Sequence, residues 1–187
     1  MGVVEDRRLV DSYLGFFDYV VDRLRSRVEG LGDEEYLWEP APGSYTIRPD
    51  ANGVWRANAQ VVPEPSPPPL SSIAWRLDHI DFAVERNSTW LGLEWDNRFD
   101  TRVTGVPPTA AGALERLDER YAYWWANLNK LDDKLLWEPV GEIGGSYGQQ
   151  PRYGFVGHVL DEVIHHGAEI AMLRDFYRVP VLSSTSP

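Results

Sequence analysis

The sequence has no cysteine among its 187 residues. That excludes a disulfide framework, a thiolate zinc finger, an iron–sulfur cluster and a cysteine nucleophile. Any metal held by this chain must be held through nitrogen and oxygen. Basic residues are also scarce, 18 against 29 acidic ones, which leaves a net charge of −11. An acidic chain lacks the basic face that phosphate neutralisation needs, so no nucleic-acid partner is expected. No segment approaches the roughly 18 consecutive apolar residues of a membrane span, so no membrane partner is expected either. The start, Met1-Gly2-Val3-Val4-Glu5-Asp6, has no basic stretch before an apolar run and does not read as a secretory signal. The expected compartment is the cytoplasm. What the chain does have is 43% apolar residues and eight tryptophans, enough to bury a core.

Four segments read as helices. The first, about residues 5–30, carries Leu9, Tyr13, Phe16, Val20, Leu24 and Val28 at helical spacing, with Gly30 and Gly32 at its stop. The second, about 71–92, follows Pro67, Pro68 and Pro69 and is capped by Ser71 or Ser72. The third starts at the cap Thr109 and carries Leu114, Leu117, Tyr121, Trp124, Leu128 and Leu131. The fourth runs from about Tyr153 to Arg178, where Pro180 bars continuation. These patterns predict an all-α fold, a four-helix bundle with a long loop between helices 1 and 2. That loop, 41–70, holds seven prolines and no convincing strand, so it reads as functional or flexible. The 138–152 connection is Gly-rich, and either loop has room for a short strand pair. Residues 1–180 read as one domain, and 181–187 as a flexible C-terminal tail.

The chain also repeats itself. Asp33-Glu34-Glu35-Tyr36-Leu37-Trp38-Glu39-Pro40 follows helix 1, and Asp132-Asp133-Lys134-Leu135-Leu136-Trp137-Glu138-Pro139 follows helix 3. A second alignment lays Ile73–Ile80 on Val156–Val163, which puts His79 opposite Glu162. Each half is then a helix, a Trp-Glu-Pro turn, a loop and a second helix.

All four histidines fall in helices 2 and 4. At about 100° per residue, His166 lies inside the aliphatic stripe Phe155, Val156, Val159, Val163, Ile170 and Leu173, with Glu162 at its edge. Glu162 and His166, four apart, stack on the buried side. A carboxylate and an imidazole turned towards a core must pair or hold a metal. On helix 2, His79 shares a second face with Trp75 and Phe82, off the aliphatic stripe Ile73, Leu77, Ile80 and Val84. Singly, His79 reads as an ordinary buried histidine and Glu162–His166 as a helix hydrogen bond. At matching repeat positions they read together as a His2Glu metal site, with His158, His165 and Glu169 as neighbours. Three ligands leave an open position, the catalytic arrangement. The ion is a divalent metal: zinc first, or nickel or iron, since imidazole accepts all three.

The run Trp38-Glu39-Pro40-Ala41-Pro42-Gly43-Ser44, the segment Ile73–Ile80 and the segment Glu162–Ile170 resemble the DinB-like superfamily of metal-binding proteins. Its relatives include mycothiol-dependent maleylpyruvate isomerase and the mycothiol and bacillithiol S-transferases. The resemblance implies an up-down-down-up bundle, commonly a homodimer, with the metal on His79, Glu162 and His166. Glutamate at the first helix 4 position matches the isomerase branch, while many members have histidine there. By resemblance, the protein is a metal-dependent thiol S-transferase-like enzyme that acts on a small-molecule thiol and an electrophilic substrate. The 41–70 and 139–152 loops would shape the pocket mouth, with Trp75, Phe82, Trp38 and Trp137 as candidate pocket walls. The alternatives are a metal-dependent hydrolase, with Glu169 or His165 as general base, and a non-catalytic dimeric metal-binding or stress module.

Overall fold

The computed structural model describes residues 8–179 apart from 64, 94 and 95. The expected tail, 181–187, lies outside the described residues. Helix α1, Arg8–Val28, forms where the apolar spacing predicts it and buries Val10, Leu14, Phe17, Val20, Val21, Leu24 and Val28. Gly30 follows at φ +68°, the left-handed conformation that ends helices and that glycine adopts without strain. The first Trp-Glu-Pro repeat folds as a short helix, α2, Asp33–Leu37.

The proline-rich 41–70 stretch holds a strand pair, β1 (Ile47–Pro49) antiparallel to β2 (Trp55–Ala57). The Asp50 carboxylate accepts the Asn52 and Val54 N–H groups, and Gly53 supplies the positive φ of the turn. The loop is tied down at its ends, where Tyr45 N–H donates to the Leu70 carbonyl and Ser72 N–H to the Tyr45 carbonyl.

Helix α3, Ile73–Trp90, starts behind Ser72, whose hydroxyl accepts the Trp75 N–H. A 3₁₀ turn at Asn97–Phe99 and the one-turn helix α4, Thr101–Thr104, lead to α5, Ala110–Leu128. Thr109 caps α5 as its sequence position predicts, accepting the Gly112 N–H at 3.2 Å. The second Trp-Glu-Pro repeat gives α6, Asp133–Trp137, and a 3₁₀ stretch at Glu142–Tyr147 leads into α7, Arg152–Arg178.

The four long helices α1, α3, α5 and α7 share one core, with Phe17, Tyr36, Ile73, Ile80, Trp124, Leu128 and Ile170 among its most buried side chains. Gly157 and Gly167 on α7 face Tyr13 and Leu24 of α1. Tyr13 donates to the Tyr153 carbonyl at one end of that helix pair, and Arg27 meets Asp175 at the other. Arg25 pairs with Asp118, and Tyr121 donates to Asp18, across α1 and α5.

The two short helices close the long ones reciprocally. The Asp133 carboxylate of α6 accepts the Leu9 and Val10 N–H groups at the start of α1. The Asp33 carboxylate of α2 accepts the Ala110 N–H at the start of α5. Beside α2, the buried Arg174 of α7 donates to both oxygens of buried Glu35 and to the Arg27 and Glu29 carbonyls. Among the described residues, no helix is long and apolar enough to cross a membrane.

Candidate metal centre

The stripe on α7 dictates which way its polar residues face. Phe155, Val156, Val159, Val163, Ile170 and Leu173 are buried, and His166 is buried among them. Glu162, one turn earlier, sits at the stripe's edge with a partly exposed side chain. On α3, Ile73, Leu77, Ile80 and Val84 face the core, which turns His79 towards α7.

These three side chains converge. Glu162 Oε2 lies 3.0 Å from His166 Nε2 and 3.5 Å from His79 Nε2. The two imidazole rings meet edge to face, with centroids 4.7 Å apart. Bonds of about 2.0–2.1 Å to a tetrahedral ion separate neighbouring ligand atoms by about 3.4 Å. The two Glu162 separations fall on either side of that value, and all three ligand atoms lie within 4.8 Å of one another, a grouping that could hold a divalent ion. Two nitrogens and one carboxylate oxygen suit zinc, nickel or iron.

The surroundings orient the ring nitrogens. Hydrogen bonds from His166 and His79 hold the Glu162 carboxyl well below the usual carboxylate range, against the opposing effect of burial. Burial pushes the His166 pKa down, but Glu162 and Glu169 outweigh it and raise the pKa above its ordinary value. Burial likewise pushes Glu169 up, while His166, Arg76 and His165 together leave it lowered. Glu169 is therefore an anion that only accepts, and His166 Nδ1–H donates to its Oε2 at 2.6 Å. Arg76 Nε lies 3.0 Å from the same oxygen.

Among the described residues, a second trio, His165, His166 and Glu169, also brings its ligand atoms together. A cation is already there. The Arg76 guanidinium lies 3.0 Å from Glu169 and 3.3 Å from His166 Nδ1, and its charge opposes a metal at that place. Among the described residues, the charged partners of Glu162 are histidines and not an arginine, and the trio His79, Glu162 and His166 is the candidate centre.

The other residues singled out from the sequence are placed as follows. His158, half exposed, lies 3.4 Å from the outer oxygen of Glu162. His165 is exposed and 3.5 Å from Glu169 Oε1. Trp75 is buried, and its ring stacks on His79 with centroids 4.9 Å apart. Its indole N–H donates to the Asn58 carbonyl, and its ring also stacks against Tyr45, so the 41–70 loop is fastened to the site through this one side chain. Phe82 is 44% exposed and lies 6.4 Å from the His79 ring, at the solvent side. Trp38 and Trp137 lie elsewhere. Trp38 packs edge-on against Tyr177, and Trp137, 63% exposed, against Tyr153. At about 1.5 Å per residue, those contacts sit roughly 16 Å beyond His166 and 13 Å before Glu162 along α7. Arg76 was not singled out in the sequence. Its position one turn before His79 was visible, but its partner across the helix pair was not.

No curated protein and no solved structure matches the chain. A family model does match residues 17–170, the span that contains all three candidate ligands, and the chain belongs to the DinB superfamily.

Proposed function

We propose that this protein is a metal-dependent enzyme of the thiol S-transferase type, with His79, Glu162 and His166 holding one divalent ion. The observation that carries the reading is the convergence of two imidazole nitrogens on one oxygen of Glu162. When bound, a divalent ion supplies Lewis acidity and lowers the pKa of a thiol or water in its open position. Zinc is the first choice, with nickel or iron as alternatives. The chain has no cysteine, so any sulfur at this centre comes from a small-molecule thiol. Trp75 fixes the plane of the His79 ring by stacking. Phe82, half exposed beside His79, offers an apolar edge to an electrophilic substrate. The 41–70 loop, held by Tyr45, Asn58 and Trp75, bounds the mouth.

The same reading takes the fold as a single-domain four-helix bundle with α1, α3, α5 and α7 running up, down, down, up. Its support is the contact pairs. Tyr13 with Tyr153 and Arg27 with Asp175 set α1 parallel to α7. Arg25 with Asp118 and Asp18 with Tyr121 set α5 against α1. His79 with Glu162 and Arg76 with Glu169 set α3 against α7. The protein is taken to work in the cytoplasm as a homodimer. Exposed Phe16, Tyr19, Met172 and Phe176 on α1 and α7 are the apolar surface on which a second copy would close.

The test is elemental analysis of protein purified without a histidine tag, followed by a panel of thiols with a generic electrophile. Near-stoichiometric metal, with thiol consumption that is lost in His79→Ala, is expected. Wild-type protein without metal overturns the reading. Turnover of esters or amides that needs metal but no thiol moves it to a hydrolase.

A further inference from the structure

We infer that Glu169 and Arg76 are positioning residues for His166, and that their grip on its Nδ1 side sets how tightly the centre holds a metal. The inference rests on the metal reading above and goes beyond it, because neither residue is one of the three ligands.

A neutral imidazole carries its proton on either nitrogen, and only the bare one can bind a metal. Glu169 settles the choice. Its Oε2 accepts from His166 Nδ1 at 2.6 Å, a short charge-assisted bond, so Nε2, which faces Glu162 and His79, is the nitrogen left to give up its proton and take a metal. A carboxylate on the far nitrogen also makes the imidazole a better donor.

Glu169 is itself held from α3. Arg76 Nε is 3.0 Å from the oxygen that His166 uses, and its guanidinium lies over the Trp75 ring at 5.1 Å. Helix α3 therefore delivers the ligand His79 and, three residues earlier, the cation that fixes the partner of the other histidine. The same placement separates Glu169 from base chemistry at the centre. It lies on the Nδ1 side of the ring, while the ligand atoms meet on the Nε2 side. Arg76 also keeps a metal from settling on Glu169, so His166 serves one ion through one nitrogen.

The experiment uses the full chain, stripped and then titrated with zinc alone against a chromophoric chelator, as wild type, Glu169→Ala and Glu169→Gln. Cobalt(II) absorption of each protein reports the ligand field, and melting of the metal-free proteins reports the fold. Glu169→Ala is expected to weaken zinc binding about 10–100-fold and to alter the cobalt spectrum. Glu169→Gln keeps an acceptor for Nδ1–H without the charge, so it falls between the two. A purely structural role would not produce that order at matched melting temperatures. If Glu169→Ala fails to fold, the glutamine variant decides alone, with a loss of about 3–10-fold expected. Zinc affinity within threefold of wild type in every folded variant, or a glutamine variant no tighter than a folded alanine variant, overturns the positioning role and leaves the metal reading standing. Wild-type protein that binds no zinc overturns both.

Discussion

Replacing His79 with alanine separates the metal from the fold. The His79 ring is stacked on Trp75 and belongs to no aliphatic stripe, so its removal leaves Ile73, Leu77, Ile80 and Val84 in the core. An aromatic contact of this kind contributes about 0.5–1.5 kcal/mol. For a chain of this length, 1 kcal/mol moves the melting temperature by about 2–4 °C. Metal-free His79→Ala should therefore melt about 1–6 °C below metal-free wild type. Zinc at a hundred times its Kd adds about 2.7 kcal/mol to the native state of wild type, a rise of about 5–11 °C. With one of three ligands gone, the same zinc concentration should move the variant by less than about 2 °C. Fluorescence of the eight tryptophans during heating reads both quantities. Equal zinc shifts in wild type and variant would refute the assignment of His79 to the metal, whatever happened to the metal-free melting points.

Other perturbations follow from the same geometry. In metal-free protein, the stabilisation from depressed Glu162 is present above about pH 4.5 and fades as pH falls towards its folded value. That from raised His166 is complete below about pH 6.5 and fades as pH rises through its folded value. The melting difference between wild type and Glu162→Gln should therefore be widest between about pH 4.5 and 6.5 and narrow on both sides; a pH-independent difference in chelator-treated protein contradicts this. Glu35→Ala strands the Arg174 guanidinium, 1% exposed, and should cost about 3–5 kcal/mol in urea unfolding. Glu35→Leu with Arg174→Met should recover most of that, less the two carbonyl bonds at the end of α1. Asp133→Ala removes an acceptor for two N–H groups and should cost about 1–2 kcal/mol, against about 1 kcal/mol for Asp33→Ala, which serves one. The two losses should add within about 0.5 kcal/mol in the double variant, because they share no partner.

The long helices and the three candidate ligands were legible in the sequence for a simple reason. A helix has a fixed angular period, so His166 could be placed among Phe155, Val159, Val163 and Ile170, and Glu162 at their border, without coordinates. The repeat then supplied the one long-range relation needed, His79 opposite Glu162. Where no period operates, the reading stopped. Trp38 directly follows the short helix α2 and Trp137 ends the short helix α6, neither long enough to show a period, and nothing local says that their rings run to Tyr177 and Tyr153 at the two ends of α7. The strands in 41–70 are three residues each, too short for an alternating pattern to declare itself. Arg76 shows the same limit, since its meaning lies in a partner on α7 that only tertiary packing supplies.

The reciprocal closure of α1 by Asp133 and α5 by Asp33 has a consequence for how the chain is held together as a unit. Each half lends an acceptor to the first turn of the other's first helix, even though α5 also has its own cap in Thr109. A chain cut between α3 and α5 would take the Asp133 acceptor from α1 and the Asp33 acceptor from α5, and only reassociation would restore both. The arrangement has the logic of an exchange between two equal parties, written into one polypeptide. It makes the two halves cooperative, so that His79 from one and Glu162 with His166 from the other can be expected to assemble or come apart together.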